Sequence, residues 1–191
     1  MKGTLFITGD ADADKLLNTD PLALLLGMLL DQQVPMEWAF YGPYLLRERL
    51  GGLDAAAIAA MDPDAFLVVA KGPRAIHRFP GSMGKRVQEV CQHLVEHYDG
   101  KAEKVWKGVK TGDELYRRLR AIPGYGDEKS KIFVAILAKR VGVKPAGWEE
   151  AAGPFADANP RSVADIHDSE SLAQVRAWKK AQKAARKGKQ D

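Results

Sequence analysis

Residues 22 to 30, LALLLGMLL, form a nine-residue run of apolar side chains and one glycine in a chain that otherwise alternates apolar and charged positions. A run of this kind is buried on every side, and it falls far short of the roughly 20 apolar residues needed to cross a bilayer. Thr19-Asp20-Pro21 immediately before it is a helix start: a capping side chain, then proline at a first-turn position where its missing N–H costs nothing. The pattern predicts a buried helix from Pro21 that Pro35 closes, followed by MEWAFYGPYLLRERL, kinked at Gly42-Pro43 and stopped by Gly51-Gly52. LDAAAIAAM and then Asp62-Pro63-Asp64-AFLVVA read as two short helices. After the loop KGPRAIHRFPG, the segment SMGKRVQEVCQHLVEHY places Val87, Val90, Cys91, Leu94 and Val95 at helical spacing and buries one face. Gly112-Asp113-ELYRRLRAI forms a further helix, and residues 127 to about 141 form the next.

GTLFIT near the start reads as a short extended segment. Residues 144 to 162, rich in Gly, Pro, Ala and Asp, read as irregular structure, and a final helix from about Ser169 runs into a basic tail. The fold class is all-α, with a helical body over residues 1–175 and a basic tail over residues 176–191, and without any 20–50-residue repeat.

With 46% hydrophobic residues in 191, the chain supports a real core and is not wholly disordered. Its single cysteine, Cys91, excludes an intrachain disulfide and any four-thiolate zinc or iron–sulfur site, and points to a reducing cytoplasm. The net charge of +4 is unevenly placed. Residues 176 to 191 carry a net +6, leaving the other 175 residues at −2. Such a tail is drawn to nucleic acid or another anionic surface, or it is a solvated terminus; composition leaves both open.

The stretch IPGYGDEKSKI, residues 122 to 132, puts proline and two glycines between two helical patterns. Glycine costs about 1 kcal/mol against alanine inside a helix, so two at a helix start need a reason. The N-terminus of the second helix, near Asp127, presents unpaired N–H groups and the positive end of the helix dipole, a ready anion site. Glycine there lets a phosphodiester approach the amides. A plain αα-turn using glycine for chain reversal remains the alternative.

LRAIPGYGDEKSKIFVAIL resembles the helix-hairpin-helix motif, whose core reads roughly LPGxG before a polar pair and an apolar helix. Its setting resembles the HhH-GPD superfamily of base-excision DNA glycosylases. LLLGMLLDQQVPMEWA is similar to that family's early helix and glutamine-bearing turn, and SMGKRVQEVCQHLVEHYDGK to the helix before the hairpin, with Lys85 at a commonly basic position. The resemblance covers about residues 20 to 142. It implies a two-lobed helical DNA-glycosylase-like fold around a cleft, a double-stranded DNA partner, and a flipped base entering that cleft. Gly124, Tyr125, Gly126 and Asp127 would meet phosphates, with Lys129, Lys131 and Lys85 adding charge. Gln32 or Gln33 would fill the hole left by the extruded base. Trp38 and Tyr41, with Phe40 and Trp148, would line the base pocket or else belong to the core. Hairpin carbonyls of this kind also hold a monovalent cation. A monomer in the cytoplasm, associated with the nucleoid in a bacterium and with no membrane contact, is the expected state.

The chemistry departs from the family's pattern. Where bifunctional members carry a lysine two residues after the second hairpin glycine, this chain has Glu128, so no lyase activity is expected. The family's aspartate, about 18 residues further on, falls at Ala146. The nearest carboxylates are Glu149 and Glu150, beside Trp148, followed by Asp157 and Asp165; Glu149 and Glu150 are the candidates for stabilising an oxocarbenium-like sugar, or else plain surface charges. With no cysteine after Cys91 the chain resembles the cluster-free members, and no cofactor is expected. Two functions stand: a monofunctional DNA glycosylase, or a catalytically silent DNA-binding or lesion-recognition protein on the same scaffold.

His93 and His97 lie four apart on one helix without an evident third metal ligand, and GDADAD at residues 9 to 14 lacks a calcium loop's glycine and distal glutamate. Both read as solvated polar groups.

Overall fold

The computed structural model describes residues 1 to 185 and 190. It is all-α: among the described residues ten α-helices run in chain order, and the only β pairing is an isolated bridge between Thr111 and Ala146. The residues of the basic tail at 186 to 189 and 191 lie outside the described ones.

Helix α2 (Pro21–Leu30) is the centre of the molecule. Asp20 caps it by accepting from the N–H groups of Leu22 and Ala23, and every residue from 22 to 30 is buried, as its uninterrupted apolar sequence demands. α1 (Ala11–Thr19), α3 (Met36–Leu50), α6 (Pro80–Tyr98) and α8 (Asp127–Ile136) pack around it. Truncating a leucine in such a position costs about 2–5 kcal/mol. Gly27 is needed here for space: a methyl group on it would lie 2.7 Å from the Phe40 ring of α3. α2 ends at Leu30, earlier than Pro35. Asp31 caps it, and residues 32 to 35 form a separate turn in which Gln33 takes a positive φ of 56°.

Pro43 sits inside α3 without ending it, and α3 closes at Gly51 in the left-handed conformation. α4 (Ala55–Ala60) and α5 (Pro63–Lys71) start at the aspartate caps Asp54 and Asp62. α6 begins at Pro80, two residues before the serine that opens its amphipathic pattern, and buries Met83, Val87, Val90, Cys91 and Leu94. Burial, with a smaller push from Asp54, raises the Cys91 thiol to about 12, leaving it an inert core residue.

The acidic stretch at residues 9 to 14 is not a solvated run. Asp10 caps α1, and Asp14 is 6% exposed, its Oδ1 accepting from Ile7 N–H, Thr8 N–H and the Thr8 hydroxyl. The preceding GTLFIT segment is extended but joins no sheet. The Asn18 side chain takes the place of a strand partner, accepting from Leu5 N–H and donating to its carbonyl, both at 2.8 Å. Residues 144 to 162 hold more order than their composition suggests: α9 (Trp148–Ala152) and a 3-10 turn at Gly153–Ala156. α7 (Gly112–Arg120) packs on α8, which continues as a π turn over Leu137–Val141, and α10 (Ser169–Ala184) starts from a capping box of Asp168 and Ser171.

Candidate nucleic-acid interface

The turn between α7 and α8 is held from beneath. The Tyr125 ring is 2% exposed, its hydroxyl donates to the Leu25 carbonyl of α2 at 2.6 Å, and it meets Phe133 edge-on. Burial raises the phenol well above its ordinary value. Tyr125 is therefore an anchor beneath the turn and not a contact residue on its surface, as the resemblance had it. Gly124 lies at φ 84°, where a methyl group would come within 2.7 Å of Leu29 Cδ1 and 3.2 Å of Arg86 Cδ. Both conformation and space demand glycine at that position.

Gly126 is different. Its φ of −76° and ψ of 179° suit any residue, and nothing lies within 4 Å of where a Cβ would be. Gly126 is the N-cap of α8, no side chain among the described residues caps that helix, and both Gly126 and Asp127 are exposed. The described residues give no reason for this glycine.

Charges surround the turn. The Arg120 guanidinium donates to the Tyr125 carbonyl at 2.7 Å, and Arg86 of α6, paired with Glu89 at 2.9 Å, lies against Gly124. Sequence reasoning overlooked both arginines, because their closeness to the turn depends on how α6 and α7 pack. The Arg120 contact also fits poorly with a monovalent cation at the turn's carbonyls, since a fixed positive charge already occupies the Tyr125 oxygen. Asp127 accepts from the Tyr116 hydroxyl at 2.7 Å and pairs with Lys131 at 3.0 Å, and these two partners hold its carboxyl below the usual range. Lys85 is exposed on α6.

Lys129 points back at α2, where its ammonium meets the Leu29 carbonyl and lies 3.4 Å from Gln32 Oε1. A positive charge on those last carbonyls suits the negative end of the α2 dipole. Gln32 also donates to Met83 Sδ at 2.9 Å. His77, 1% exposed, fixes this corner: Phe79 N–H donates to Nδ1, so Nε2 carries the proton and donates to the Gln32 carbonyl at 2.9 Å. His77 is the buried pin of the glutamine turn. Phe79 beside it is 45% exposed with Arg78 over its ring, an exposed apolar group that no motif flagged.

A cavity of about 380 Å³ beside Gln32 and Gln33 is bordered by Arg176 and Lys179 of α10. Arg176 pairs with Glu37 across that gap. The aromatic candidates do not line it. Trp38 Nε1 donates to the Ala75 carbonyl and Tyr41 lies beneath the Arg74 guanidinium, so these two rings hold the residues after α5 against α3, while Phe40 is fully buried against Gly27 of α2. Trp148 lines a separate cavity of about 400 Å³ with Lys139, Asp157 and Asp165.

The carboxylates divide in the same way. Asp165 accepts from Lys139 at 2.7 Å and from the N–H groups of Arg161 and Ser162, closing a capping box. Asp157 is lowered despite burial, which pushes it up, by hydrogen bonds from Asn159 and Arg161. Glu149 and Glu150 are exposed on α9, and Glu150 lines a cavity of about 370 Å³ with Tyr116, Asp127 and Lys131. Glu150 is thus next to the α7–α8 turn but not beside Gln32. His93 and His97 lie ring to ring at 4.5 Å, and among the described residues no group of three metal-ligating side chains converges anywhere. No described helix is long and apolar enough to cross a membrane.

No protein-family model matches the chain, and no curated protein matches it.

Proposed function

We propose that this is a DNA-repair protein that grips duplex DNA through a helix-hairpin-helix formed by α7, α8 and the glycine turn, with the Gln32–Gln33 turn directed at the duplex within a two-lobed glycosylase-like body. The observation that carries the reading is Gly126: a glycine with no steric or conformational need for it, exposed at an uncapped helix start with arginines near the turn. A phosphate oxygen seated on the first amides of α8 supplies the missing reason, because any Cβ there would stand between it and the backbone. Arg86, Arg120 and Lys85 supply the surrounding positive potential.

In this reading the protein is a monofunctional glycosylase that hydrolyses the N-glycosidic bond of a damaged base, and Glu150 is the carboxylate that steadies the developing sugar cation, because it alone of the candidate acids lines a cavity together with a turn residue, Asp127. Lys129 is held against α2 and takes no part as a nucleophile. Recognition of lesions without turnover is the second reading. The exposure of both glutamates favours it, since solvent weakens the stabilisation a carboxylate gives. Incubation with duplexes carrying alkylated, oxidised or deaminated bases separates the two. Base release that Glu150→Gln abolishes establishes the glycosylase, tight lesion-selective binding without release establishes the recognition protein, and neither binding nor release on any duplex contradicts both.

A further inference from the structure

A cavity of about 730 Å³ lies at the other end of α8 from the glycine turn, between the π turn at Leu137–Val141, the loop after Trp106 and the start of the chain. From Asp127 to Val141 the helix spans roughly 20 Å at 1.5 Å per residue, so this cavity is not part of the proposed phosphate grip. Trp106, Val109, Val141 and Val143 are among the residues that line it. Lys2, Lys107 and Lys144 also line it, all three exposed, and none forms an ion pair among the described residues. Glu103 is the one carboxylate in the lining.

We propose that this cavity docks an acidic peptide segment of a partner protein, with one large apolar side chain seated among the valines and its flanking carboxylates meeting the three lysines. The chemistry of the lining selects this occupant. A small polar metabolite needs a few fixed polar groups to orient it, and the polar side chains here are three flexible lysines and a glutamate. Mobile ammonium groups around an apolar floor suit a multivalent acidic chain instead, for which charge gives approach and one buried side chain gives affinity. A nucleic-acid backbone has the charge but nothing to bury against the valines, and Trp106 is only 5% exposed, which denies bases a stacking face.

The test uses the full chain and fluorescein-labelled hexapeptides in which four Asp or Glu flank one Phe or Leu, read by anisotropy. The acidic apolar peptides bind, and replacing the apolar residue by Ala, or the acids by Asn and Gln, weakens binding at least tenfold. Lys107→Glu/Lys144→Glu weakens it at least tenfold with an unchanged melting curve, whereas Glu103→Gln tightens it two- to threefold by removing a like charge. That opposite sign separates docking from a general loss of structure. Absence of binding to every peptide at millimolar concentration, indifference to the lysine substitutions, or displacement by an unlabelled DNA duplex at stoichiometric amounts would overturn the proposal. These outcomes do not depend on whether the glycine turn binds DNA.

Discussion

The α7–α8 turn and the segment from 145 to 171 are both rich in glycines, prolines and charges, yet among the described residues one has a helix start without a side-chain cap and the other is satisfied from within. In the segment, Asp165 and Asp157 spend their oxygens on Lys139, Arg161, Asn159 and backbone amides, and Asp168 accepts from Ser171 at the start of α10. In the turn, Tyr125 and Gly124 are locked onto α2 and α6 while Gly126 stands exposed at an uncapped helix start. The difference teaches where a ligand is to be sought. Charges that complete one another are structure, and backbone donors held rigidly at an open surface are binding capacity.

This contrast breaks most sharply in the segment. Lys139 and Asp165 are 14% and 10% exposed, so Lys139→Ala strands a mostly buried carboxylate and costs about 3 kcal/mol. Denaturant melts measure this, and DNA affinity at temperatures where the protein stays folded is unaffected. Next is Gly124→Ala, where the positive φ and the approach to Leu29 together cost about 2 kcal/mol. Tyr125→Phe loses the hydrogen bond to Leu25 and about 1 kcal/mol, with the turn retained. The smallest effect is a pH dependence. Burial and then His97 hold the His93 imidazole below its ordinary 6.5, so the unfolded chain takes up the proton first. The contribution of neutral His93 is complete above pH 6.5 and is lost as pH falls from there toward the folded-state value. Unfolding midpoints at pH 7.5 and 5.5 differ less in His93→Gln than in the unaltered protein.

Much of the helical plan was legible because caps and breakers are local: Asp20-Pro21, Asp62-Pro63 and Gly51 act where the sequence puts them. α1 was missed because Asp10 and Asp14 read as surface charge, whereas their oxygens serve a cap and the backbone of the preceding segment. The two site glycines could be found from spacing, but their unequal roles could not, since Gly124 is constrained by Leu29 and Arg86, residues far away in the chain. For the same reason the roles of Arg86, Arg120 and His77 were invisible: each depends on a contact between elements that no local pattern encodes. The spacing of Trp38, Phe40 and Tyr41 left pocket and core both open, because helical spacing alone cannot tell a ring that holds a neighbouring loop, as Trp38 and Tyr41 do, from a ring awaiting a ligand.

The most direct measurement is the affinity of Gly126→Ala for duplex DNA against that of the unaltered protein, at matched salt. Since φ −76° and the empty space around the position tolerate alanine, the melting curve stays within about 0.5 kcal/mol. The account predicts that binding nonetheless weakens at least tenfold, about 1.4 kcal/mol. Equal affinity in a protein of equal stability would contradict it.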